Sequence, residues 1–394
     1  MQKSRAVKKA YSLKVLLILS LGHLVVDIYQ GALPATLPFI KDKLGLTYAL
    51  AGLVLVAANF TSSVLQPVFG YFSDRKVMPI LLPGGILAAG IGFSLIMLPA
   101  HFILVLLLVV ISGLGVASYH PEGYKTAHFF TGTRSATGMS IFSVGGNLGF
   151  SIGPILSLAI IEYLGFRLFP LIVVPSLLCT AVILYYRNTF AVPVVGHAEE
   201  VKKSKVKTAA ASYVSLSMVI FIVIMRSWTQ MGLVSYIPFY YINYLKGSPI
   251  FAGKLVSVFL VSGAVGTLIG APFADRWGYR FFVRLSMLLS TVTLPAFFLP
   301  AVQNSILIFF IIGLQGMFLV STFSVTIVMA QKLLPHKLGI ASGLLVGFAI
   351  GTGGIGVTLL GLIADHFGVP VALRSIMIIP CVGFIASLLL RYDE

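Results

Sequence analysis

The segment Gly-Tyr-Phe-Ser-Asp-Arg at 70–75 closes a long apolar run, and Ala-Pro-Phe-Ala-Asp-Arg at 271–276 closes another. Asp74 and Asp275 lie 201 positions apart in a chain of 394 residues. A charged turn that recurs at half the chain length marks two related halves. Working outward from the two turns, apolar stretches of roughly 20 residues, the length of a membrane-spanning helix, follow one another along the whole sequence. They fall near 14–39, 48–72, 79–98, 102–125, 136–161 and 167–186, and again near 213–244, 251–273, 281–300, 305–330, 338–364 and 369–390. The sequence therefore predicts an all-α integral membrane protein with twelve transmembrane helices in two six-helix bundles. The bundles are residues 1–187 and 212–394, joined by a basic cytoplasmic linker at 188–211.

Composition points the same way. Hydrophobic residues make up 58% of the chain and charged residues 10%, against about 25% charged in a soluble domain. Too few charges remain to coat a water-soluble surface, so lipid is the outer solvent. The net charge of +16 sits between the apolar runs, which fits the positive-inside rule and excludes nucleic-acid binding as its explanation. With the N-terminus inside, 20 of the 27 Lys and Arg fall on the cytoplasmic side, among them Lys3, Arg5, Lys8, Lys9 and Lys202 to Lys207. Six fall outside (Lys41, Lys43, Arg167, Lys246, Lys254 and Arg374) and Arg226 falls inside a span. Both termini are thus expected in the cytoplasm, with the chain in the plasma membrane. The basic start runs into an apolar stretch too long for a cleaved signal peptide, so it is read as the first span. Cys179 and Cys381 stand far apart in apolar runs with no metal or disulfide spacing.

The Gly-x-x-x-Asp-Arg loop, with Gly70, Asp74 and Arg75 in the first copy and Asp275, Arg276, Gly278 and Arg280 in the second, resembles the signature loop of the major facilitator superfamily. Within it the chain is most similar to the fosmidomycin-resistance family of drug exporters. The supporting segments are 22–24 with Asp27, 63–67, 120–122, 144–149, 330–335 and 351–356. The resemblance implies a secondary transporter that exports small drugs and is driven by protons, with no cofactor. The superfamily's mid-span arginine in the fourth helix has no counterpart at Val109 to Gly113, and Ser157 and Leu158 replace two glycines of the exporter motif beginning at Gly149.

Ionisable residues inside a span cost several kcal/mol, from about +2.5 upward, so each needs a reason. His23 and Asp27 are four residues apart and share one helical face. They form either a proton-coupling site or a hydrogen-bonded pair that fastens the first helix. His120-Pro121-Glu122 reads as a gate or proton relay loosened by the proline; alternatively Glu122 pairs with Lys125 at the water interface. Arg226, with Gln230 one turn on and Trp228 nearby, either faces a cavity and attracts an anion, or pairs with Asp27, or sits shallow and snorkels. Gly145, Gly149 and Gly153 form a packing stripe, with Ser143, Asn147 and Ser151 on the other side. Asn147 and Tyr119 join Arg226, Gln230 and Trp228 as expected cargo contacts. Asp74 and Asp275, beside Arg75, Arg276 and Arg280 and with Gly70, are expected to latch the outward-open state through helix termini.

No phosphate-cradling loop is present, which argues against direct ATP drive, and no nucleophile–base or metal constellation argues for an enzyme. The expected partners are a small molecule, protons and lipid, with the chain working as a monomer and exporting its cargo in exchange for protons. Uptake or exchange of a sugar or organic anion, and a sensor that keeps the transporter fold, are the alternatives.

Overall fold

The computed structural model describes residues 11–46, 48–192, 209–246, 249–303, 305–349 and 351–392. The basic residues Lys3 to Lys9 and Lys202 to Lys207, and most of the expected linker, lie outside the described residues. Apart from one isolated bridge between Tyr11 and Thr131, the described secondary structure is helical. Apolar runs in lipid have no other open-chain solution, because each backbone N–H and C=O must find its partner within its own segment.

In chain order the helices begin with α1 (Leu13–Leu44), α2 (Tyr48–Asn59), α3 (Gln66–Arg75) and α4 (Leu81–Ser94). A π-helical turn, Phe60–Val64, joins α2 to α3. Then come α5 (Phe102–Phe130), α6 (Ser135–Leu168), α7 (Val174–Tyr185) and the short α8 (Arg187–Phe190). The second half of the sequence holds α9 (Ala209–Pro238), α10 (Pro249–Trp277), α11 (Tyr279–Ala296), α12 (Pro300–Gln303), α13 (Leu307–Val320) and α14 (Phe323–Leu333). It ends with α15 (Leu338–Ser342), α16 (Gly353–Phe367), α17 (Val369–Ser375) and α18 (Ile378–Leu389).

Among the described residues, nine segments are long and apolar enough to cross a membrane. One of them, Ser135–Tyr185, contains Gly165 at φ 75°, where the chain leaves the helix. Leu81–Ser94 is apolar but shorter.

The chain forms two compact units, one of residues 1–200 with 334–348 and the other of 201–333 with 349–394. In the first, α1 lies along α6, α4 along α5, and α15 packs on α3 and α5. In the second, α10 lies along α13, and α9 contacts α16 and α18.

The α1–α6 contact rests on the glycine stripe. A methyl group on Gly149 would stand 2.0 Å from the carbonyl oxygen of Leu24, and one on Gly145 2.0 Å from that of Ser20. The two backbones touch, which only glycine permits here. In lipid, where helices gain nothing by leaving an equally apolar solvent, such close packing is a main source of association.

Candidate functional site

The α1–α6 contact and the neighbouring α5 bring three ionisable side chains together in the first unit. His23 Nε2 lies 3.4 Å from Asp27 Oδ2, one turn apart on α1. His120, from α5, places its Nε2 3.1 Å from Asp27 Oδ1. Both histidines are buried, at 2% and 3% exposure, and the Asp27 side chain is 13% exposed. His23 stacks on Phe142 of α6 and meets His120 and Tyr124 edge-on. Gly146 of α6 faces the pair: a methyl there would come within 2.4 Å of His23 Nε2 and 2.6 Å of Asp27 Oδ2.

The other ring nitrogens fix the tautomers. His23 Nδ1 is 3.0 Å from the carbonyl oxygen of Phe142, and His120 Nδ1 is 3.0 Å from that of Val116. A carbonyl can only accept, so each Nδ1 carries a proton and donates it. In a neutral ring the remaining Nε2 is then a bare lone pair. Each Nε2 faces a carboxylate oxygen, and two lone pairs repel. Each of the two contacts becomes a hydrogen bond only when a proton sits on it, on the ring or on the carboxyl. The cluster has two proton positions, and its charge changes with their occupancy. The three ligand atoms also lie within 4.8 Å of one another, a spacing set by these hydrogen-bond geometries.

The sequence reading of His120-Pro121-Glu122 as one cluster is corrected. Residues two apart on a helix project about 200° from each other, so His120 turns to α1 while Glu122 turns to α3. Glu122 is 1% exposed and pairs with Lys125 Nζ at 2.8 Å; its Oε2 also accepts from the Ser73 hydroxyl. Lys125, 3% exposed, donates in addition to the Ser73 carbonyl at 2.8 Å. The pairing with Lys125 is thus present, but deep in protein and not at a water interface. Ser73, which completes this network, was not assigned a role from sequence, whereas Lys125 was expected as a partner of Glu122. A lysine inside an apolar run three residues after a glutamate is the signal that marks that pair.

Beside that network, Asp74 receives the backbone N–H groups of Gly339 and Ile340 at 2.8 and 2.9 Å, at the start of α15. This is a carboxylate on a helix N-terminus, formed inside the first unit by a segment from the second half of the sequence. Gly70 makes room for it, since a methyl there would meet the Gly339 carbonyl oxygen at 2.3 Å. The guanidinium of Arg75 covers the Tyr71 ring at 4.0 Å. In the second unit Asp275 accepts from the Tyr279 hydroxyl at 2.9 Å, and Lys332 covers that ring at 4.3 Å. Arg276 is exposed and Arg280 half-buried.

The expected cargo contacts do not all gather. Arg226, Trp228 and Gln230 sit near the middle of α9 in the second unit. Arg226 is 2% exposed, with its guanidinium 5.1 Å from the Phe323 ring centre, so it is enclosed by protein. Trp228 Nε1 donates to Thr352 Oγ1 at 3.3 Å, and Gln230 is half-buried. In the first unit Asn147 is half-buried. Tyr119 is fully buried and its hydroxyl donates to the Leu19 carbonyl at 2.6 Å, which makes it a brace between α5 and α1 and not an open cargo contact.

The Major Facilitator Superfamily profile matches residues 19–247 and 216–394. The chain belongs to the Major Facilitator Superfamily. It is 31% identical to the fosmidomycin resistance protein of Escherichia coli K12 over 97% of this chain and 94% of that protein. It is 33% identical to the MFS-type transporter YfnC of Bacillus subtilis 168 over 95% of this chain and 92% of that one. Its fold is that of the solved E. coli fucose:proton symporter FucP in the outward conformation, with TM-score 0.73 at 16% identity over 97% of this chain and all of that one. A FucP variant gives TM-score 0.71 at 15% identity. As a superfamily member the chain is a multi-pass membrane transporter and not an enzyme. The aspartate of the first Gly-x-x-x-Asp-Arg copy has a physical partner in the α15 N-terminus.

Proposed function

We propose that this chain is a proton-driven exporter, an antiporter, of small organic compounds of the fosmidomycin kind. Its twelve spans are arranged as bundles 1–187 and 212–394 around the cytoplasmic linker 188–211. It works as a monomer in the plasma membrane, with both termini inside. The observation that carries the reading is the His23–Asp27–His120 cluster. A buried carboxylate between two imidazoles whose other nitrogens are held by backbone carbonyls offers two sites where a proton can be taken up and released, which a proton-coupled carrier requires. The likeness to a relative named for fosmidomycin resistance supports this choice of cargo class. Arg226, a cation held near the middle of α9, suits an anionic cargo, since its planar fork binds a phosphonate or carboxylate through two parallel hydrogen bonds. Gln230 and Trp228, on the same helix, are its proposed polar and aromatic companions; Asn147 is the proposed cargo contact of the first unit, and Asp74 with its α15 partner is the proposed conformational latch.

The test uses everted membrane vesicles. Wild-type vesicles with an acidified interior are expected to accumulate fosmidomycin, and the accumulation should collapse when the proton gradient is dissipated. Asp27→Asn keeps the shape and removes the titrating carboxylate, so it should abolish uphill accumulation while the protein still reaches the membrane. Normal uphill transport by Asp27→Asn would place proton coupling elsewhere.

A further inference from the structure

We infer that the His23–Asp27–His120 cluster also binds a divalent transition-metal ion of the zinc type, and that the bound ion arrests the carrier; the arrest, though not the binding, rests on the proposed proton coupling. Two imidazole nitrogens and a carboxylate are the donor types zinc takes, and here their ligand atoms lie within 4.8 Å of one another. No local spacing in the sequence announces the set, because His120 joins the α1 pair from α5.

The tautomers suit a metal. A ligating imidazole needs a bare ring lone pair, and both Nε2 atoms offer one, since Nδ1 of His23 is held by the Phe142 carbonyl and Nδ1 of His120 by that of Val116. A histidine that ligates through one nitrogen and donates the other N–H to a carbonyl is the usual arrangement around protein-bound metals. The Phe142 ring stacked on His23 fixes that imidazole further.

The distances suit it too. Zinc bonds of about 2.0–2.2 Å at tetrahedral angles put neighbouring ligand atoms roughly 3.3–3.5 Å apart. His23 Nε2 stands 3.4 Å from Asp27 Oδ2, and His120 Nε2 stands 3.1 Å from Oδ1. The carboxylate therefore turns one oxygen to each ring at the length of a ligand-sphere edge. Gly146 leaves the His23–Asp27 edge uncovered, since a methyl there would come within 2.4 Å of Nε2 and 2.6 Å of Oδ2. Asp27, 13% exposed, leaves a side of the cluster open to a fourth ligand.

Charge decides whether a buried site tolerates a dication. Two protons on the cluster give it a net charge of about +1, and one divalent ion on the unprotonated cluster gives the same. The ion thus takes the place of two protons without adding buried charge, whose cost inside a span is high. It satisfies both Nε2 lone pairs and the carboxylate at once. Magnesium and calcium, which take oxygen ligands, do not match this set. An ion ligated from α1 and α5 ties the two helices together and fills both proton positions, so the loaded carrier cannot exchange protons.

Co²⁺, which occupies zinc sites and reports its ligands by visible absorption, is the probe. Full-length protein purified in detergent through a tag without histidine should bind one Co²⁺ per chain, and Zn²⁺ should displace it. A variant with His101→Gln, His197→Gln, His336→Gln and His366→Gln should keep the spectrum. Adding His120→Gln to it should weaken binding by about 100-fold or more. Absence of Co²⁺ binding overturns the inference, as does full affinity in the His120→Gln variant. If that variant fails to fold, X-ray absorption of the Zn²⁺-loaded fourfold variant is read instead. Two imidazoles with oxygen ligands at about 2.0–2.2 Å support the site, and fewer than two overturn it. In everted vesicles, Zn²⁺ at ten times its Kd should cut proton-driven export by about tenfold while a pH-sensitive dye shows the gradient intact. Binding that leaves export unchanged overturns the arrest. Vesicles without proton-driven export sink the proton reading and the arrest with it, and the Co²⁺ titration still decides the metal site.

Discussion

Glu122 and Lys125 are a buried ion pair whose partners are all accounted for. The ammonium reaches both the carboxylate and the Ser73 carbonyl, and the carboxylate also takes the Ser73 hydroxyl. Ser73 precedes Asp74, so the pair holds the residue next to the carboxylate that receives the α15 amides. Removing one member of such a pair leaves an uncompensated buried charge, which costs about 3–5 kcal/mol, whereas replacing both with apolar groups is often nearly neutral. Lys125→Met should therefore lower the thermal unfolding midpoint of the detergent-solubilised protein strongly. The double variant Glu122→Leu with Lys125→Met should recover most of the loss. The coupling between the two sites in a double-mutant cycle is the quantity to read; additive losses would mean that the pair acts as two unrelated residues. The same comparison separates this cluster from the proton site, because the double variant leaves His23, Asp27 and His120 in place and should still show proton-dependent transport.

At the scale of the helix, the proton cluster exists because α1 and α6 touch backbone to backbone. Gly149→Val would push a branched side chain into the Leu24 carbonyl, 2.0 Å from the glycine's missing methyl. Overpacking of this kind costs about 1–3 kcal/mol or more, and it would also shift Leu24, which stands between His23 and Asp27. The expected result is a loss of membrane-inserted protein together with proton coupling. Gly84→Ala in α4, where a methyl meets nothing within 4 Å, should behave as wild type; if both variants are silent, the stripe is not what sets the contact. This stripe was readable in the sequence because glycines four apart fall on one helical face. The His23–Asp27 contact was readable for the same reason. His120 joining Asp27 was not, since no local spacing says that α5 will cross α1 at that height. For Glu122 the two readings part here: the pairing with Lys125, three residues on, is the one present, while a shared relay with His120 takes adjacency in sequence for adjacency in space, and a helix turns residues two apart to opposite sides. The α15 terminus whose amides Asp74 receives, 265 positions later, leaves no mark in the loop itself.

For the whole molecule, the strongest claim that sequence makes is orientation. Charged side chains resist transfer across the bilayer, so Lys and Arg accumulate in the short loops that stay inside, within about 15–20 residues of the spans. Twenty on one side against six on the other holds only if the number of spans before each loop has the parity assumed for it. A single span more or fewer in the first half would move every later loop to the opposite side and mix the two groups. Ser204, among the basic residues 202–207, is the place where that parity is read most directly. Ser204→Cys should be labelled by a membrane-impermeant maleimide only after the cells are permeabilised. Ser305→Cys, at the outer start of the tenth expected span, should be labelled in intact cells. The wild type sets the background from Cys179 and Cys381. Labelling of Ser204→Cys in intact cells would falsify the proposed orientation. Labelling of both positions from the same side would show instead that the number of spans between them is even where the reading requires three, and would locate the error between α9 and α12.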